Sequence, residues 1–289
     1  MQVMVLGASG MIGSAVSELL NRDSKYKVIS FGRRSVNQLP GFPGAINYSN
    51  ISDLSCDDVV NELFINYKPD VVINCAGITK HLNNKCSIES MIAMNALLPH
   101  RLSRQCTINN ARLIHISTDC VFSGKKGRYL ETDICDAYDI YGRSKALGEI
   151  KNNEHITLRT STIGHEYHTK FGLLEWFLSQ KESCEGYQKA IFSGLTTLAL
   201  AGVIINYVLP NNRLRGLYHV GGMPIDKSTL LKYLAKIYNH SITIADNTSF
   251  VIDRSLNSDK FYHDTGYVPE NWETQIINMK NYQDGNNFV

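Results

Sequence analysis

An apolar strand, Gln2 to Leu6, runs without a break into Gly7-Ala8-Ser9-Gly10-Met11-Ile12-Gly13 and then into a helical pattern at Ile12, Val16, Leu19 and Leu20. Strand, glycine turn and helix in immediate succession leave few folds open. Gly7 permits the tight turn, Gly10 lets backbone approach a pyrophosphate, and Gly13 lets the helix pack on the strand, with the helix amino terminus facing the phosphates. Ser9, Met11 and Ile12 complete this candidate dinucleotide-binding turn. The expected architecture is α/β, a doubly wound parallel sheet of the Rossmann type.

The following segments keep to that plan. Lys27 to Phe31 reads as a second strand and ends in Gly32-Arg33-Arg34, where a cofactor held through a free ribose 2′-hydroxyl would want an acid. Arg33 and Arg34 instead suit a 2′-phosphate, because guanidinium makes forked, charge-assisted hydrogen bonds to phosphate. This points to NADPH, with NADH as the alternative. Asp53 and Leu54, in the next connection, are candidates to approach the adenine, although a helix-capping role for Asp53 is at least as well supported. A buried strand, Val71 to Asn74, ends in Cys75-Ala76-Gly77-Ile78-Thr79. Cys75, Ala76 and Gly77 are small enough to let backbone pass close to the cofactor, and Thr79 is placed to face a substrate. On the helix from Ser90 to Asn109, Asn95 interrupts an apolar face; a buried Asn must be hydrogen-bonded, and tying backbone together is the expected use.

The run from Arg112 to Ile150 carries the chemistry. Leu113, Ile114 and Ile116 form a buried strand that breaks at Ser117, Thr118 and Asp119, so hydroxyls sit at a carboxyl strand end, where open α/β sheets bind ligands. From Tyr141 a helix follows, with Tyr141 and Lys145 four residues apart on one face. The ammonium is expected to favour the phenolate and lower a phenol pKa of about 10 toward useful proton exchange. With a strand-end hydroxyl alongside, the set can hydrogen-bond a carbonyl oxygen and protonate it as hydride reaches the carbon. After the strand Ile156 to Arg159 the regular alternation stops near Gly164. A dinucleotide-binding domain over residues 1–164 and a smaller α/β substrate lobe over 165–289, with segments returning to the first, are expected.

Net charge of +2 with no long basic run argues against nucleic acid as a partner. Seven cysteines without a Cys-x-x-Cys pair read as free thiols, and no metal site is expected. No apolar run approaches membrane-spanning length and no leader pattern is present, so a cytoplasmic protein is expected.

In their order, the glycine turn, Asn74-Cys75-Ala76-Gly77, Ser117-Thr118-Asp119 and Tyr141-x-x-x-Lys145 resemble the extended short-chain dehydrogenase/reductases. More narrowly, STDCVFSG, YGRSKALGE, LRTS, GLYHVGG and DRSLNSDKF are similar to the dTDP-4-dehydrorhamnose reductase family, over nearly the whole chain. The resemblance implies a triad of Thr118 to orient a carbonyl, Tyr141 to protonate it and Lys145 to tune the phenol and hold the nicotinamide ribose. It also implies NAD(P)H, a nucleotide-diphosphate sugar as partner, and a role in surface-polysaccharide precursor synthesis; a homodimer is left open. Two departures fall on the sugar side: Cys120 stands where that family typically has Tyr, and Thr162 where it has Trp. The expected substrate is therefore a nucleotide-linked 4-keto-6-deoxy-hexose, either dTDP-4-dehydrorhamnose or, with the space opened at Thr162, a UDP-2-acetamido-2,6-dideoxy-hexos-4-ulose. Asp119, Cys120 and Thr162, with Thr79 and Thr118, are the candidate substrate residues. A sugar-nucleotide epimerase and a non-catalytic NADP-binding regulatory subunit are the competing readings.

Overall fold

The structure is a computed structural model that describes residues 1–34, 47–51, 53–80, 86–167 and 170–285. In chain order the first half comprises β1 (Gln2–Leu6), α1 (Met11–Asn21), β2 (Lys27–Gly32), β3 (Tyr48–Asn50), α2 (Asp57–Tyr67) and β4 (Val71–Asn74). A long helical run follows, made of α3 (Ile88–Met91), a π-helical segment (Ile92–Leu97) and α4 (Leu98–Ile108). Then come β5 (Arg112–Thr118), α5 (Ile140–Leu147) and β6 (Ile156–Thr160). The second half holds β7 (Thr162–Ile163), α6 (Leu173–Ser179), β8 (Ser183–Tyr187), β9 (Ala190–Phe192), β10 (Leu195–Thr196) and α7 (Thr197–Val203). It ends with β11 (Gly216–His219), β12 (Ile225–Asp226), α8 (Lys227–Tyr238), β13 (Thr243–Asn247), β14 (Ile252–Asp253), α9 (Asp259–Thr265) and α10 (Trp272–Gln283).

Seven strands form one parallel sheet in the order β11-β6-β5-β4-β1-β2-β3. The register explains why the strands read as unbroken apolar runs. Val3 and Val5 of β1 pack on one face with Val16 and Leu20 of α1 and Leu200 of α7. Met4 and Leu6 pack on the other with Leu63 and Phe64 of α2 and Leu98 and Leu102 of α4. Both faces are covered by helices, as a parallel sheet requires. The alternation that fades in the sequence after Gly164 resumes in space, because β11 joins the large sheet beside β6. A separate core gathers Leu174 and Phe177 of α6, Phe192, Leu230 and Leu234 of α8, and Trp272 and Ile276 of α10. The short strands β8 and β13 pair beside it.

A buried ion pair lies behind the carboxyl ends of β5 and β6. Arg159 donates Nε and Nη2 to the two oxygens of Glu149 at 2.6 and 2.7 Å, and both side chains are fully buried. Ser117 donates to the same carboxylate at 3.0 Å, and Arg159 reaches His219 on β11 at 3.1 Å. The network fixes the end of α5 against three strands. Among the described residues no helix is long and apolar enough to cross a membrane.

Candidate active site

The glycine turn has the shape its sequence requires. Gly7 sits at φ +79°, and a Cβ there would lie 2.6 Å from the Ala76 amide nitrogen, so the β1 turn is pressed against the loop after β4. A Cβ on Gly13 would fall 2.3 Å from the Gly7 carbonyl oxygen, so α1 packs directly on the turn. A Cβ on Gly10 would meet only that same oxygen, at 3.2 Å, among the described residues. Gly10 is also the N-cap of α1, which has neither a side-chain cap nor an acid in its first turn. Its first amides, together with Ser9, Met11 and Ile12, fit a diphosphate with the partial positive charge of the helix end behind it.

At the end of β2, Ser9 and Tyr48 close around Gly32, and the Tyr48 hydroxyl donates to the Arg34 carbonyl. Arg33 is exposed and Arg34 half-buried. Asp53 lies within reach of Arg33's charge, accepts from the Ser55 amide at 2.8 Å, and has its pKa lowered mainly by Ser55, with Arg33 a lesser cause. Asp53 is thus a turn-forming acid beside the basic pair. Leu54 is buried in the core with Ile51 and Val60, so its side chain serves packing.

Asn95 ties the cofactor side to the catalytic helix. It is fully buried in the π-helical segment, accepts from the Ile78 amide (2.8 Å), and donates to the Ile78 carbonyl (3.0 Å) and to Ser144 Oγ (3.2 Å). Ser144 in turn donates to the Tyr141 carbonyl at 2.9 Å. One amide therefore holds the loop containing Cys75, Ala76 and Gly77 against α5. The π turn, which a periodicity of 3.6 does not reveal, supplies the register, and such turns are frequent at functional sites.

Asp139 caps α5 by accepting from the Gly142 amide (2.9 Å), and Gly142 lets the helix press on the Cys120 carbonyl, which a Cβ would approach to 2.2 Å. This brings the Tyr141 phenol to the end of β5 beside Thr118, whose hydroxyl accepts from the Cys120 amide at 3.1 Å and donates to Asp119 at 3.2 Å. Lys145 is buried and donates to the Ile116 carbonyl at 2.7 Å, close to Cys75 and Glu149. The expectation of an acidified phenol is overturned. Burial raises the Tyr141 pKa well above that of a free phenol, and Cys120, Asp119 and Asp139 add to the rise; the Thr118 hydroxyl opposes it only in part. Burial acts on Lys145 too, lowering its pKa to about 8 against the opposing pull of Glu149 and Cys75. Spacing along a helix predicts proximity but not desolvation, and desolvation wins here.

The substrate side adds Ser161 and Arg254, which lie in the LRTS and DRSLNSDKF runs without having been given a role, and Lys227, which lies in none of the quoted motifs. Asp119 is buried, with its carboxyl pKa pushed up by burial while Arg254, Cys120, Thr118 and Ser161 pull it down. The residue at the first turn after β6 that reaches Asp119 is Ser161; Thr162 is half-buried on β7 beside Leu195. Thr79 is exposed, and its neighbour Lys80 pairs with Asp139 at 3.4 Å. Arg254 lies against Cys120, with Nη1 3.8 Å from Sγ, and donates Nε to the Phe122 carbonyl at 2.9 Å. Lys227, at the start of α8, is buried enough for its pKa to be lowered, and the charges of Asp119 and Cys120 oppose that shift. Among the described residues no group of three or more His, Cys, Asp or Glu is placed to hold a metal ion.

Residues 1–228 match the RmlD substrate binding domain family. The chain belongs to that family. A dTDP-4-dehydrorhamnose reductase of Aggregatibacter actinomycetemcomitans is 26% identical, over 97% of this chain and 99% of the relative. The methionine adenosyltransferase 2 subunit beta of Xenopus tropicalis is 28% identical over 53% of this chain and 44% of its own length. The crystal structure of a dTDP-4-dehydrorhamnose reductase from Bacillus anthracis in complex with NADP superimposes with a TM-score of 0.79. It covers 96% of this chain and 98% of the other at 20% identity, and so shares the fold. The RmlD family assignment fits the architecture: the glycine turn, the β4 end and the Thr118/Tyr141/Lys145 set all open on one edge of the parallel sheet.

Proposed function

We propose that this RmlD-family protein reduces the 4-keto group of a nucleotide-linked 6-deoxy-hexose with NADPH, in the supply of precursors for a surface polysaccharide. The observation that carries the reading is the buried Tyr141 phenol beside Thr118 at the carboxyl end of β5, with Lys145 one turn along the same helix, on the sheet edge that also carries the open glycine turn. The residues fit a dinucleotide: an unobstructed Gly10, uncapped first-turn amides of α1, and two guanidiniums at the end of β2. Bound there, NADPH would supply hydride.

The chain's own residues account for the proton. Thr118 and Tyr141 lie side by side; the Thr118 hydroxyl donates to Asp119 at 3.2 Å and would turn from it to a substrate carbonyl, which could then accept from both. Because its pKa is raised, Tyr141 is a neutral phenol at physiological pH and holds the proton it must deliver. The alkoxide left by hydride addition is a stronger base than a phenolate, so transfer from the Tyr141 hydroxyl runs downhill. Lys145, one helical turn away, then stabilises the phenolate. The buried Glu149–Arg159 pair holds Ser117 and the end of α5 in place.

Replacing Tyr141 by Phe removes only the phenolic oxygen, so folding and NADPH binding are expected to persist while turnover falls about 10²- to 10⁴-fold. Near wild-type turnover at saturating substrate would refute the assignment. Steady-state NADPH oxidation with dTDP-4-dehydrorhamnose and with a UDP-2-acetamido-2,6-dideoxy-hexos-4-ulose, run side by side, decides the sugar. Conversion without net NADPH oxidation would indicate an epimerase, and activity only on mixing with a second protein would indicate a regulatory subunit.

A further inference from the structure

The end of β2 holds more than its two arginines. Gly32 stands where such a strand ends in an acid when the cofactor is held through a free ribose 2′-hydroxyl. A side chain has no room there, because its Cβ would fall 2.3 Å from the Tyr48 hydroxyl oxygen and 2.7 Å from Ser9 Oγ. The phenol oxygen therefore occupies the space of the missing acid. It arrives from the neighbouring strand, where Tyr48 pairs with Ser30. The Ser30 amide donates to the Asn47 carbonyl and the Ile51 amide to the Gly32 carbonyl, both at 2.9 Å, so β3 is tied to β2 on either side of Tyr48. The glycine turn joins the same strand end, with the Ala8 amide donating to the Phe31 carbonyl at 2.9 Å.

From this position the phenol acts on one of the two arginines. Its hydroxyl donates to the Arg34 carbonyl, which pins the backbone two residues past the end of β2. The ring is half-buried and packs against the core of the sheet, so the oxygen is held from a fixed base. Burial raises the Tyr48 pKa above that of a free phenol, with Ser9 and Arg34 opposing the rise. At neutral pH the group in the acid's place is thus uncharged. A ribose 2′-hydroxyl loses the carboxylate it would have bonded, whereas a 2′-phosphate is spared a like charge and meets a guanidinium on an anchored backbone.

We propose that Tyr48 is a positioning residue for cofactor choice: it fills the place of the β2-terminal acid and holds Arg34 by its carbonyl, which sets the guanidinium for the 2′-phosphate of NADPH. The inference rests on NADPH as the cofactor of the proposed reductase and adds what makes this chain prefer it. A purely structural role for Tyr48, keeping β3 on β2, would serve NADPH and NADH alike.

The test measures binding to the full chain by calorimetry, with no sugar present. Adenosine 2′,5′-bisphosphate and 5′-AMP differ only in the 2′-phosphate, and wild type should prefer the first about tenfold or more. Tyr48→Phe keeps the ring and removes the bond to Arg34. It should weaken the bisphosphate and NADPH about tenfold and leave 5′-AMP and NADH unchanged. Tyr48→Ala combined with Gly32→Asp clears the hydroxyl and supplies the acid, and this protein should bind NADH more tightly than NADPH. A Tyr48→Phe protein that keeps the wild-type ratio of the two affinities would overturn the proposal. So would equal weakening of both ligands, which is the structural role, or a wild type without preference for the bisphosphate. If no 4-keto sugar is reduced but the ratio collapses in Tyr48→Phe, the reductase reading fails and the role of Tyr48 stands. If NADPH-dependent reduction proceeds and the ratio is unchanged in the variant, the role of Tyr48 fails and the reductase reading stands.

Discussion

Lys145 should cost this protein stability, and the size of the cost follows from its surroundings. The side chain is 6% exposed, and burial lowers its pKa from 10.5 to about 8. Keeping the ammonium charged at neutral pH therefore costs about 3 kcal/mol of folding free energy, since a tenfold change in proton affinity is about 1.4 kcal/mol. Replacing Lys145 by Met removes the charge at similar length but loses the 2.7 Å bond to the Ile116 carbonyl, which offsets about 1–2 kcal/mol. The variant should be catalytically dead yet more stable than wild type at pH 7 by about 1–2 kcal/mol, a rise of about 2–6 °C in melting temperature. The pH dependence has a definite sign. The unfolded chain keeps the lysine proton up to about pH 10.4 while the folded protein releases it from about 8. Between these values the unfolded state binds more protons, and wild-type stability rises with pH through this group. The variant lacks this rise, so its advantage is full below about pH 8 and gives way above about pH 10.5 to a deficit of about 1–2 kcal/mol left by the missing bond to the Ile116 carbonyl. Urea unfolding of both proteins at pH 7 and pH 10 measures the difference, in which other titrating groups cancel. A variant less stable than wild type at pH 7, or a gap unchanged with pH, would refute the reasoning.

Exchanging both Arg33 and Arg34 for Ala should lower kcat/KM with NADPH more than with NADH, and equal use of NADH by wild type would show that the pair does not read a 2′-phosphate. Arg159→Leu should cost about 3 kcal/mol, because it leaves the fully buried Glu149 carboxylate only the Ser117 hydroxyl and a 3.5 Å pairing with the exposed Lys151; chemical denaturation should also show much of the loss recovered when Glu149 is replaced by Leu as well. Thr162→Trp should lower activity on a 2-acetamido sugar nucleotide more than on a 2-hydroxy one, and no change in the ratio of the two rates would dismiss the space at Thr162 as a specificity element.

The parallel sheet was legible because its signals are local. Runs such as Val71–Asn74 and Leu113–Ile116 are apolar on both faces, and each glycine of the turn meets a neighbour within seven residues or one adjacent strand end. Thr118, Tyr141 and Lys145 were legible for the same reason, lying on one strand and one helix separated by a single connection. Lys227 was not, and neither were the roles of Arg254 and Ser161 within the DRSLNSDKF and LRTS runs. These residues approach Asp119 and Cys120 from elements far apart in the sequence, and a single Lys or Arg at a helix or strand end has no periodicity to distinguish it from a solvated charge. The π turn at Asn95 was hidden too, because one extra residue in a turn leaves the apolar pattern on either side intact.

The phenol shows most clearly what spacing omits. Burial alone drives Tyr141 and Lys145 toward their neutral forms, so the two exert little attraction on each other before reaction. Once the phenol gives up its proton to an alkoxide, a phenolate faces an ammonium in the same desolvated site, where opposite charges attract far more strongly than in water. That attraction exists only as the proton leaves, so it lowers the barrier without tightening the ground state. The burial that overturns the simple expectation of an acidic tyrosine is, on the proposed reading, what makes the pair useful, and the stability cost carried by Lys145 is the counterpart of that gain.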